Sequence, residues 1–393
     1  MLAKNLICTS CKTTYPLNER AVVCAKCGNV LDVEYDLSSV SEGPRVRSFD
    51  HDARSIWRYR ELLPIEDKRC IISLGEGLTP LSRVRRYGES IGLSDLAMKL
   101  DYLSPTCSFK DRGSSVNISK INELGIKSVL DDSSGNAGAS LAAYCAAAEI
   151  ACTLYVPAGA PNEKLIQAEI YGARIVKIPG SRTEVAKAAD AAWKTSALYY
   201  ASHNLSPFFF DGMKTLAYEI GEDLNWQLPD HIVFPVGGGA LMAGAYKGFQ
   251  DMIILGWTDK MPRLHCIQSE ACMPIVEAFR KGNAHVEPTL EGETVAGGIR
   301  ISNPGRGDQV LQAIRASGGT AISVADETVL SNQKLLACKE GIFAEPTSCA
   351  ALAGLAELVE TKAIGSQESV LVPLTGSGLK DTKNAALSLK RFG

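Results

Sequence analysis

The stretch PTCSFKDRG, residues 105–113, places a lysine directly after an aromatic residue, where a loop is predicted to enter a helix. A lysine amine condenses with aldehydes, and one that is removed from water does so readily near neutral pH. Most lysines of a globular chain are solvated surface charges. Lys110 differs from these lysines because three glycine-containing segments that could bind a cofactor follow it along the chain.

Three later segments combine glycines with hydroxyl, amide or small side chains just after an apolar run: SSGNAG at 133–138, GGGA at 237–240 and TGSG at 375–378. Backbone amides at the start of a helix attract carboxylate and phosphate groups, and consecutive glycine amides form an anion site. Met242 stands where the dinucleotide-binding pattern needs its third glycine. Each segment alone is also consistent with an ordinary helix cap or tight turn.

Short β-rich runs alternate with helical segments over two stretches of the chain, from about residue 96 to 215 and from Ile232 to Leu374. The run at 152–156, for example, follows an Ala-rich helical segment at 139–148. This alternation predicts βαβ units, parallel sheets and hence doubly wound α/β domains. Residues 37–75 are polar and irregular, and they are predicted to form a linker with a surface helix.

Four of the twelve cysteines form two Cys-x-x-Cys pairs within residues 1–36: Cys8, Cys11, Cys24 and Cys27. Two such pairs turn four thiolates toward one point, which is the spacing of a structural zinc ribbon. Four free or redox-active cysteines, or a degenerate site with poor metal occupancy, are the alternatives that this spacing leaves open. The other eight cysteines are scattered in apolar surroundings, which is typical of the reducing cytosol.

The size and charge of the chain narrow the classes of protein to which it can belong. It has 393 residues, enough for two or three domains, and its 46% hydrophobic and 22% charged residues are ordinary for a globular protein. A net charge of -3 gives no reason to expect nucleic acid or a membrane as a partner. The longest apolar stretch is interrupted by Glu149, and no signal peptide is visible. We therefore expect a cytoplasmic protein that acts on a small molecule.

The order of these segments resembles that of threonine synthase, a family of pyridoxal-phosphate enzymes of fold type II. The resemblance rests on FKDRG at 109–113, on the three glycine-containing segments, and on EGLTPL at 76–81, GMKT at 212–215 and GIFAEP at 341–346. It covers about residues 74–382. The N-terminal cysteine ribbon also occurs in some members of this family and in the related cysteate synthases.

The resemblance implies a tryptophan synthase β-like α/β fold with two doubly wound domains and an N-terminal zinc-ribbon-like module. The module is expected at 1–36, and a smaller domain that carries Lys110 and the carboxylate loop at 96–215. A larger domain, built from 40–95 together with 216–393, is expected to bind the cofactor phosphate and ring nitrogen. The resemblance also implies a homodimer.

The resemblance assigns roles to individual residues around the cofactor, pyridoxal 5′-phosphate. Lys110 forms the Schiff base with the cofactor and later moves protons, and Phe109 packs near it. Asn136 binds the phenolic oxygen of the ring, and Thr375 faces the ring nitrogen. The cofactor phosphate is bound by the backbone amides of four successive residues: Gly237, Gly238, Gly239 and Ala240. The substrate carboxylate is received by four residues of the first segment: Ser133, Ser134, Gly135 and Ala137.

A neutral hydroxyl at the ring nitrogen makes the ring a weaker electron sink than an aspartate would, which favours elimination over transamination. The resemblance implies the conversion of O-phosphohomoserine and water to threonine and phosphate by elimination and addition. Two other reactions stay open: β-replacement on O-phosphoserine with sulfite, as in cysteate synthase, and a serine/threonine-type ammonia-lyase. A zinc-ribbon binding protein with a relic catalytic domain is the non-enzymatic alternative, and the intact Lys110 and Asn136 argue against it.

The chain departs from the family pattern at three places. Some members have a basic residue that helps to bind the substrate phosphate near the position of FFF at 208–210. The phosphate would then be held by Lys214, Arg112 or backbone amides, or else the leaving group or the nucleophile would differ. Cys107 stands where the motif commonly has glycine, and Gly238 stands where some threonine synthases have asparagine.

Overall fold

The computed structural model describes residues 2–38, 49–50 and 52–392, the last three of these without their side chains. Thirteen strands lie in this described part of the chain. They are β1 (Ala3–Cys8), β2 (Thr14–Pro16), β3 (Leu31–Tyr35), β4 (Leu81–Arg83), β5 (Leu96–Lys99), β6 (Ser128–Asp131), β7 (Ala151–Pro157), β8 (Arg174–Ile178), β9 (Tyr199–Tyr200), β10 (His231–Pro235), β11 (Arg263–Ser269), β12 (Ala321–Val324) and β13 (Val370–Pro373).

The described residues also form thirteen α-helices, with short 3₁₀ helices between them. The α-helices are α1 (Arg85–Ser90), α2 (Lys110–Glu123), α3 (Asn136–Ala147), α4 (Asn162–Ile170), α5 (Arg182–Thr195), α6 (Pro207–Met213), α7 (Thr215–Asp223), α8 (Ala240–Ile254), α9 (Pro274–Arg280), α10 (Gly307–Ser317), α11 (Asp326–Glu340), α12 (Pro346–Glu360) and α13 (Thr382–Phe392).

The chain divides into two compact units. Unit 1 comprises the described residues of 1–78, 104–106 and 110–215, and unit 2 comprises 79–103, 107–109 and the described residues of 216–393. The parts of the expected larger domain at 40–48, at residue 51 and at residue 393 lie outside the described residues.

The main sheet of unit 1 has the strand order β8-β7-β6-β9, and every pair in it is parallel. Its strands are short apolar runs, and β7 buries alternate residues, among them Leu154 and Val156. Parallel pairing brings the carboxyl ends of all strands to one edge of the sheet. Asp131 and Tyr200 therefore end neighbouring strands at the same edge.

The cysteine-rich segment forms a separate antiparallel sheet of order β2-β1-β3 within unit 1. Its buried side chains share one apolar cluster with Trp57, with Val116 of α2 and with Phe208 of α6. The expectation of a linker with a surface helix at 37–75 is wrong for the described residues. The 3₁₀ helix Ile56–Leu62 buries its apolar side chains, and Trp57 Nε1 donates a hydrogen bond to Ser115 Oγ at 2.9 Å.

The sheet of unit 2 has the strand order β12-β11-β10-β13-β5-β4, and β4 is antiparallel to its neighbour. All five residues of β10 are buried, as expected for a central strand covered on both faces. The structure also places β5 here, paired in parallel with β13, although the sequence-based boundary put residue 96 at the start of the smaller domain. Its fully buried LAMK sequence accounts for this, because such a strand needs neighbours on both sides.

No helix in the described residues is both long enough and apolar enough to cross a membrane.

Candidate active site

Lys110 is the first residue of α2, and its side chain is half-buried. Its Nζ lies 5.8 Å from the centroid of the Phe209 ring, at a distance where the face of the ring attracts a cation. Phe208, Phe209 and Phe210 are all almost completely buried in α6. The unusual FFF segment is therefore part of the core of unit 1, and one of its rings lies beside the lysine.

Helix α6 packs closely on the first turn of α2 because glycines stand at the points of contact. A Cβ added to Gly113 would lie 2.7 Å from Phe209 Cδ2, and one added to Gly212 would collide with the carbonyl oxygen of Arg112. Contacts this short exclude any side chain at either position. The two glycines thus fix the distance between Lys110 and the phenylalanine helix.

Asp111, next to Lys110, ties the lysine loop to α3. Its carboxylate accepts hydrogen bonds from Thr106 N at 2.7 Å, from Thr106 Oγ1 at 2.5 Å and from Ser140 Oγ at 2.6 Å. Burial raises the pKa of Asp111 to about 6. This role of Asp111 could not be predicted from the sequence, because its hydrogen-bond partners lie in a loop and in another helix.

The first glycine-containing segment enters α3 without a side-chain cap. Gly135 is the N-cap residue, and Ser133 Oγ accepts a hydrogen bond from Gly135 N at 3.3 Å rather than from the helix. A Cβ on Gly138 would collide with the carbonyl oxygen of Ser133, so a glycine is needed there. Asn136 is the first helical residue. Because no side chain caps α3, the start of this helix retains the character of an anion-binding end.

A second polar cluster of unit 1 lies just before this loop and was missed in the sequence. His203 Nδ1 is 2.9 Å from Asp131 Oδ2, and Asp132 belongs to the same group. Burial and then the charge of Asp131 raise the pKa of Asp132 to about 6. The separation of 72 positions between Asp131 and His203 explains why no local pattern revealed the cluster.

In unit 2, the glycine segment after β10 leaves no room for side chains. Gly239 has φ of 92°, and a Cβ there would lie 2.8 Å from Val310 Cγ2. A Cβ on Gly237 would lie 2.8 Å from the carbonyl oxygen of Gly298. Ala240 then begins α8. The glycine segment has no side chains and directly precedes the 15-residue helix α8. A phosphate group could therefore approach its main-chain amides closely.

Thr375, also in unit 2, is buried beside the hydroxyl of Ser348. Its Oγ1 lies 3.0 Å from Ser348 Oγ, which accepts hydrogen bonds from Thr375 N at 2.9 Å and from Gly376 N at 3.0 Å. Phe109 N donates to Thr375 O at 2.9 Å, which joins the residue before the lysine to this strand end. Within the described residues Ser108 Oγ is buried without a hydrogen-bond partner. An unmatched hydroxyl at this place fits a polar cofactor.

Cys107 has a backbone conformation that explains the glycine commonly found in this motif. Its φ is 63°, in the left-handed region that side chains with a Cβ disfavour. Its carbonyl accepts a hydrogen bond from Ser377 N at 3.1 Å, which holds the turn in place. The thiol is exposed.

Lys214 and Arg112, two candidates for binding a substrate phosphate, are completely buried in unit 1. Lys214 Nζ lies 3.5 Å from the centroid of the Tyr35 ring and 3.5 Å from Asp211 Oδ1. Arg112 Nη1 donates to Thr215 Oγ1 at 3.2 Å. Both cations thus have partners inside the unit.

The four predicted zinc ligands converge, with their Sγ atoms all within 4.8 Å of one another. Cys8 Sγ is 3.4 Å from Cys27 Sγ, and Cys11 Sγ is 3.5 Å from Cys24 Sγ. The knuckles turn at Lys12 (φ 59°) and Gly28 (φ 75°), each directly after the second cysteine of its pair.

Polar groups around the sulfur atoms favour thiolates. A hydrogen bond from the Thr13 hydroxyl lowers the pKa of Cys11 to about 6, and one from the Tyr15 hydroxyl lowers the pKa of Cys24. Burial raises the pKa of Cys8 to about 11. Since the thiolate is the form that binds metal, the donor set fits tetrahedral zinc.

Comparison with known proteins agrees with this geometry. The model of the pyridoxal-phosphate-dependent enzyme family matches residues 72–376. The chain is 39% identical over 375 residues to a threonine synthase of Methanocaldococcus jannaschii, covering 95% of this chain and 92% of that one. It is 40% identical over 378 residues to a threonine synthase of Methanosarcina acetivorans, covering 96% and 92%.

The chain belongs to the threonine synthase family of pyridoxal-phosphate-dependent enzymes.

Solved structures confirm the fold type II prediction. Threonine deaminase isoform 2 of Solanum lycopersicum superposes with a TM-score of 0.69 at 19% identity, covering 80% of this chain and 88% of that one. Maize serine racemase superposes with a TM-score of 0.67 at 20% identity, covering 80% and 92%. At these identities the likeness shows the fold alone. The roles given above to individual residues of this threonine synthase relative stay predictions.

Proposed function

We propose that the protein is a threonine synthase that converts O-phosphohomoserine and water to threonine and phosphate. The observation that carries this proposal is the similarity to threonine synthases at 39–40% identity over 95–96% of the chain. Lys110 at the start of a helix and the side-chain-free glycine segment after β10 support it.

Four parts of the chain would hold pyridoxal phosphate. Lys110 would bind its aldehyde carbon and Asn136 its phenolic oxygen, while Thr375 would face the ring nitrogen and Phe109 would pack near the ring. The amides of residues 237–240 would bind its phosphate. When bound, the cofactor stabilises negative charge on the α and β carbons of the substrate.

Lys110 is also the group we expect to move protons at the substrate carbons. The Lys110 amine is half-buried beside Phe209, and the hydrogen bonds of Asp111 fix the backbone next to it. Such positioning favours proton transfer, because a group that moves a proton must be held close to the reacting atom. The hydroxyl pair Thr375 and Ser348 fits elimination better than transamination, because neither hydroxyl carries the negative charge that would hold a proton on the ring nitrogen.

The substrate would be bound mainly by backbone groups. Its carboxylate would bind at the start of α3, at Ser133, Ser134, Gly135 and Ala137, where no side chain caps the helix. Since Lys214 and Arg112 are buried against partners of their own unit, we expect backbone amides to hold the substrate phosphate.

Product analysis with three substrates in parallel tests the proposal. O-phosphohomoserine is expected to give threonine and one equivalent of phosphate. O-phosphoserine with sulfite is expected to give no cysteate, and threonine is expected to give no 2-oxobutyrate. Cysteate or 2-oxobutyrate as the main product would instead assign one of the alternative reactions.

We further propose that Cys8, Cys11, Cys24 and Cys27 hold one structural zinc ion. The ribbon shares an apolar cluster with α2 and α6, so the metal would stabilise the part of unit 1 that carries Lys110. Elemental analysis should find one zinc per chain, which Cys24→Ser removes, and the variant should unfold at lower temperature. Cys338→Ser, at an exposed cysteine of α11, is the control and should keep the metal.

The remaining expectations are a homodimer in the cytoplasm that acts on an amino-acid substrate and binds neither nucleic acid nor membrane. Light scattering at several protein concentrations would test the first of these directly, since a stable dimer keeps twice the mass of the chain on dilution.

A further inference from the structure

We propose that Asp131, Asp132 and His203 form a binding site for one divalent transition-metal ion, of the chemical class of Mn²⁺ or Zn²⁺. The site is separate from the cysteine ribbon. Its ligand atoms, one from each of the three side chains, lie within 4.8 Å of one another.

The topology of unit 1 brings these residues together. Strand β6 ends at Asp131, and Asp132 is the next residue. The neighbouring β9 runs parallel to β6 with Leu130 opposite Tyr200, and Ala201 N continues the pairing by donating to Leu130 O at 2.9 Å. His203 therefore leaves the sheet at the same edge as the two carboxylates.

The separation of two of the groups suits a shared ion. His203 Nδ1 lies 2.9 Å from Asp131 Oδ2. Two ligands at right angles around an ion, each bound at about 2.1 Å, are about 3 Å apart. An ion can thus replace the proton between imidazole and carboxylate without a large movement of either side chain.

Two oxygen atoms of the cluster lack the partners that buried polar atoms need. The side chain of Asp131 is completely buried, and that of His203 is 15% exposed. Among the described residues, Asp131 Oδ1 and Asp132 Oδ1 are both buried without a hydrogen-bond donor. A buried carboxylate oxygen left in this state is costly, and a cation bound to these carboxylates would offset that cost.

The charges facing the cluster leave it negative. Two carboxylates stand beside one imidazole, and Tyr200, which interacts with Asp132, has a pKa raised by burial and stays neutral. The two acidic side chains outnumber the one basic side chain, which leaves an excess of negative charge within the cluster. A divalent ion removes that excess.

The donor set distinguishes this site from the ribbon. Two carboxylate oxygens and one imidazole nitrogen suit Mn²⁺, Zn²⁺ and similar ions, whereas four thiolates select Zn²⁺ over Mn²⁺. Manganese is therefore a probe that should report on the Asp131 cluster alone.

A role for the ion follows if the proposed function holds. Asp132 directly precedes Ser133 to Gly135, where the substrate carboxylate is proposed to bind. Two negative side chains next to an anion site oppose binding, and a cation there reverses the effect. The ion is thus expected to lower KM for the anionic substrate while kcat stays the same.

The test measures Mn²⁺ binding to the full chain, loaded with one equivalent of zinc for the ribbon and with pyridoxal phosphate, by electron paramagnetic resonance without substrate. One saturable site per chain is expected, with nitrogen coupling from one imidazole. Asp132→Asn and His203→Gln should each weaken binding about 10- to 100-fold, and His203→Gln should abolish the nitrogen coupling. His285→Gln is the matched control, because His285 forms a similar pair with Asp308, exposed and outside the cluster.

The absence of a saturable Mn²⁺ site, or binding that survives both variants unchanged, overturns the proposal. Circular dichroism and the cofactor spectrum show whether each variant is folded, and the half-exposed, isosteric Asp132→Asn is the substitution least disturbing to the core. A KM that does not respond to Mn²⁺ overturns the link to substrate. Because the binding assay contains no substrate, failure of this site and failure of the threonine synthase assignment are separate results.

Discussion

The two units of this protein use different physical means to prepare a site. In unit 1 the residues of interest are ionisable side chains brought out of water: Lys110 beside Phe209, Asp111 with three hydrogen bonds, and the Asp131–Asp132 pair. In unit 2 they are bare backbone and neutral hydroxyls, such as Gly239 and Thr375 with Ser348.

This contrast predicts different responses to substitution. A site built on buried charges depends on protonation, so changes in unit 1 should show a pH dependence. A site built on backbone space depends on volume and conformation, so changes in unit 2 should be severe wherever a Cβ is added and insensitive to pH. Variants in each unit can confirm or break this distinction.

The largest effect is expected for Gly239→Ala in unit 2. The residue has φ of 92°, and the new Cβ would lie 2.8 Å from Val310 Cγ2 and 3.1 Å from the carbonyl oxygen of Arg306. Backbone strain of about 1–2 kcal/mol adds to overpacking of about 1–3 kcal/mol. Cofactor affinity should fall at least about tenfold, which a fluorescence titration with pyridoxal phosphate measures.

Gly256→Ala is the control for that substitution. Gly256 has φ of 68°, but no atom lies within 4 Å of the added Cβ. The Gly256→Ala variant should be destabilised only by the backbone strain, and its cofactor affinity should not change. Equal losses in the two variants would show that space around the glycine segment is not what matters.

An intermediate effect is expected for Asp111→Asn in unit 1. Both carboxylate oxygens of Asp111 accept hydrogen bonds, and asparagine replaces one of them with an NH₂ group that cannot accept. The loss of that hydrogen bond should lower the free energy of unfolding by about 1–3 kcal/mol. The pKa of Asp111 is raised from 3.8 to about 6 on folding, so the folded chain holds a proton that the unfolded chain has lost. This contribution to stability is complete below about pH 4 and is lost as the pH rises through 6.

Urea unfolding of wild type and Asp111→Asn should therefore differ more at pH 5 than at pH 7.5. Asp190→Asn, at an exposed ion pair of α5, is the control and should change the free energy of unfolding by less than about 0.5 kcal/mol at both values. A difference between wild type and Asp111→Asn that stays constant with pH would contradict the picture of unit 1.

The smallest effect, with the opposite sign, is expected for Cys107→Gly. Relief of the left-handed strain at φ 63° gains about 1–2 kcal/mol, and the greater freedom of unfolded glycine costs about 0.5–1 kcal/mol. The free energy of unfolding should rise by up to about 1.5 kcal/mol. Cys338→Gly within α11 should instead lower it by about 0.3 kcal/mol, because cysteine is only slightly better than glycine in a helix. A destabilising Cys107→Gly would mean that the thiol itself makes a favourable contact.

The features that could be predicted from the sequence are mostly those of unit 2. The features of unit 2 are local: glycines and hydroxyls follow apolar runs within a few residues, so their positions after β10 and β13 could be read directly. The cysteine pairs of the ribbon are local too. Lys110 was found for the same reason, because its motif is contiguous.

The features that were missed depend on contacts distant in sequence. Phe209 lies 99 residues after Lys110, and His203 lies 72 residues after Asp131. Nothing in the local pattern of FFF at 208–210 shows that one ring reaches the lysine, because that depends on how closely Gly113 and Gly212 let two helices approach. The position of β5 in unit 2 was missed since a strand does not reveal its partners.

Covalent capture of the cofactor shows whether Lys110 is the residue that forms the Schiff base. The protein is incubated with pyridoxal phosphate, reduced with borohydride and digested, and threonine formation from O-phosphohomoserine is measured in parallel. We expect one labelled peptide, containing Lys110. In Lys110→Ala we expect no label and no more than about a thousandth of the activity. Lys187→Ala, at an exposed lysine of α5, should keep both. A label on another lysine, or a fully active Lys110→Ala, would contradict this role of Lys110.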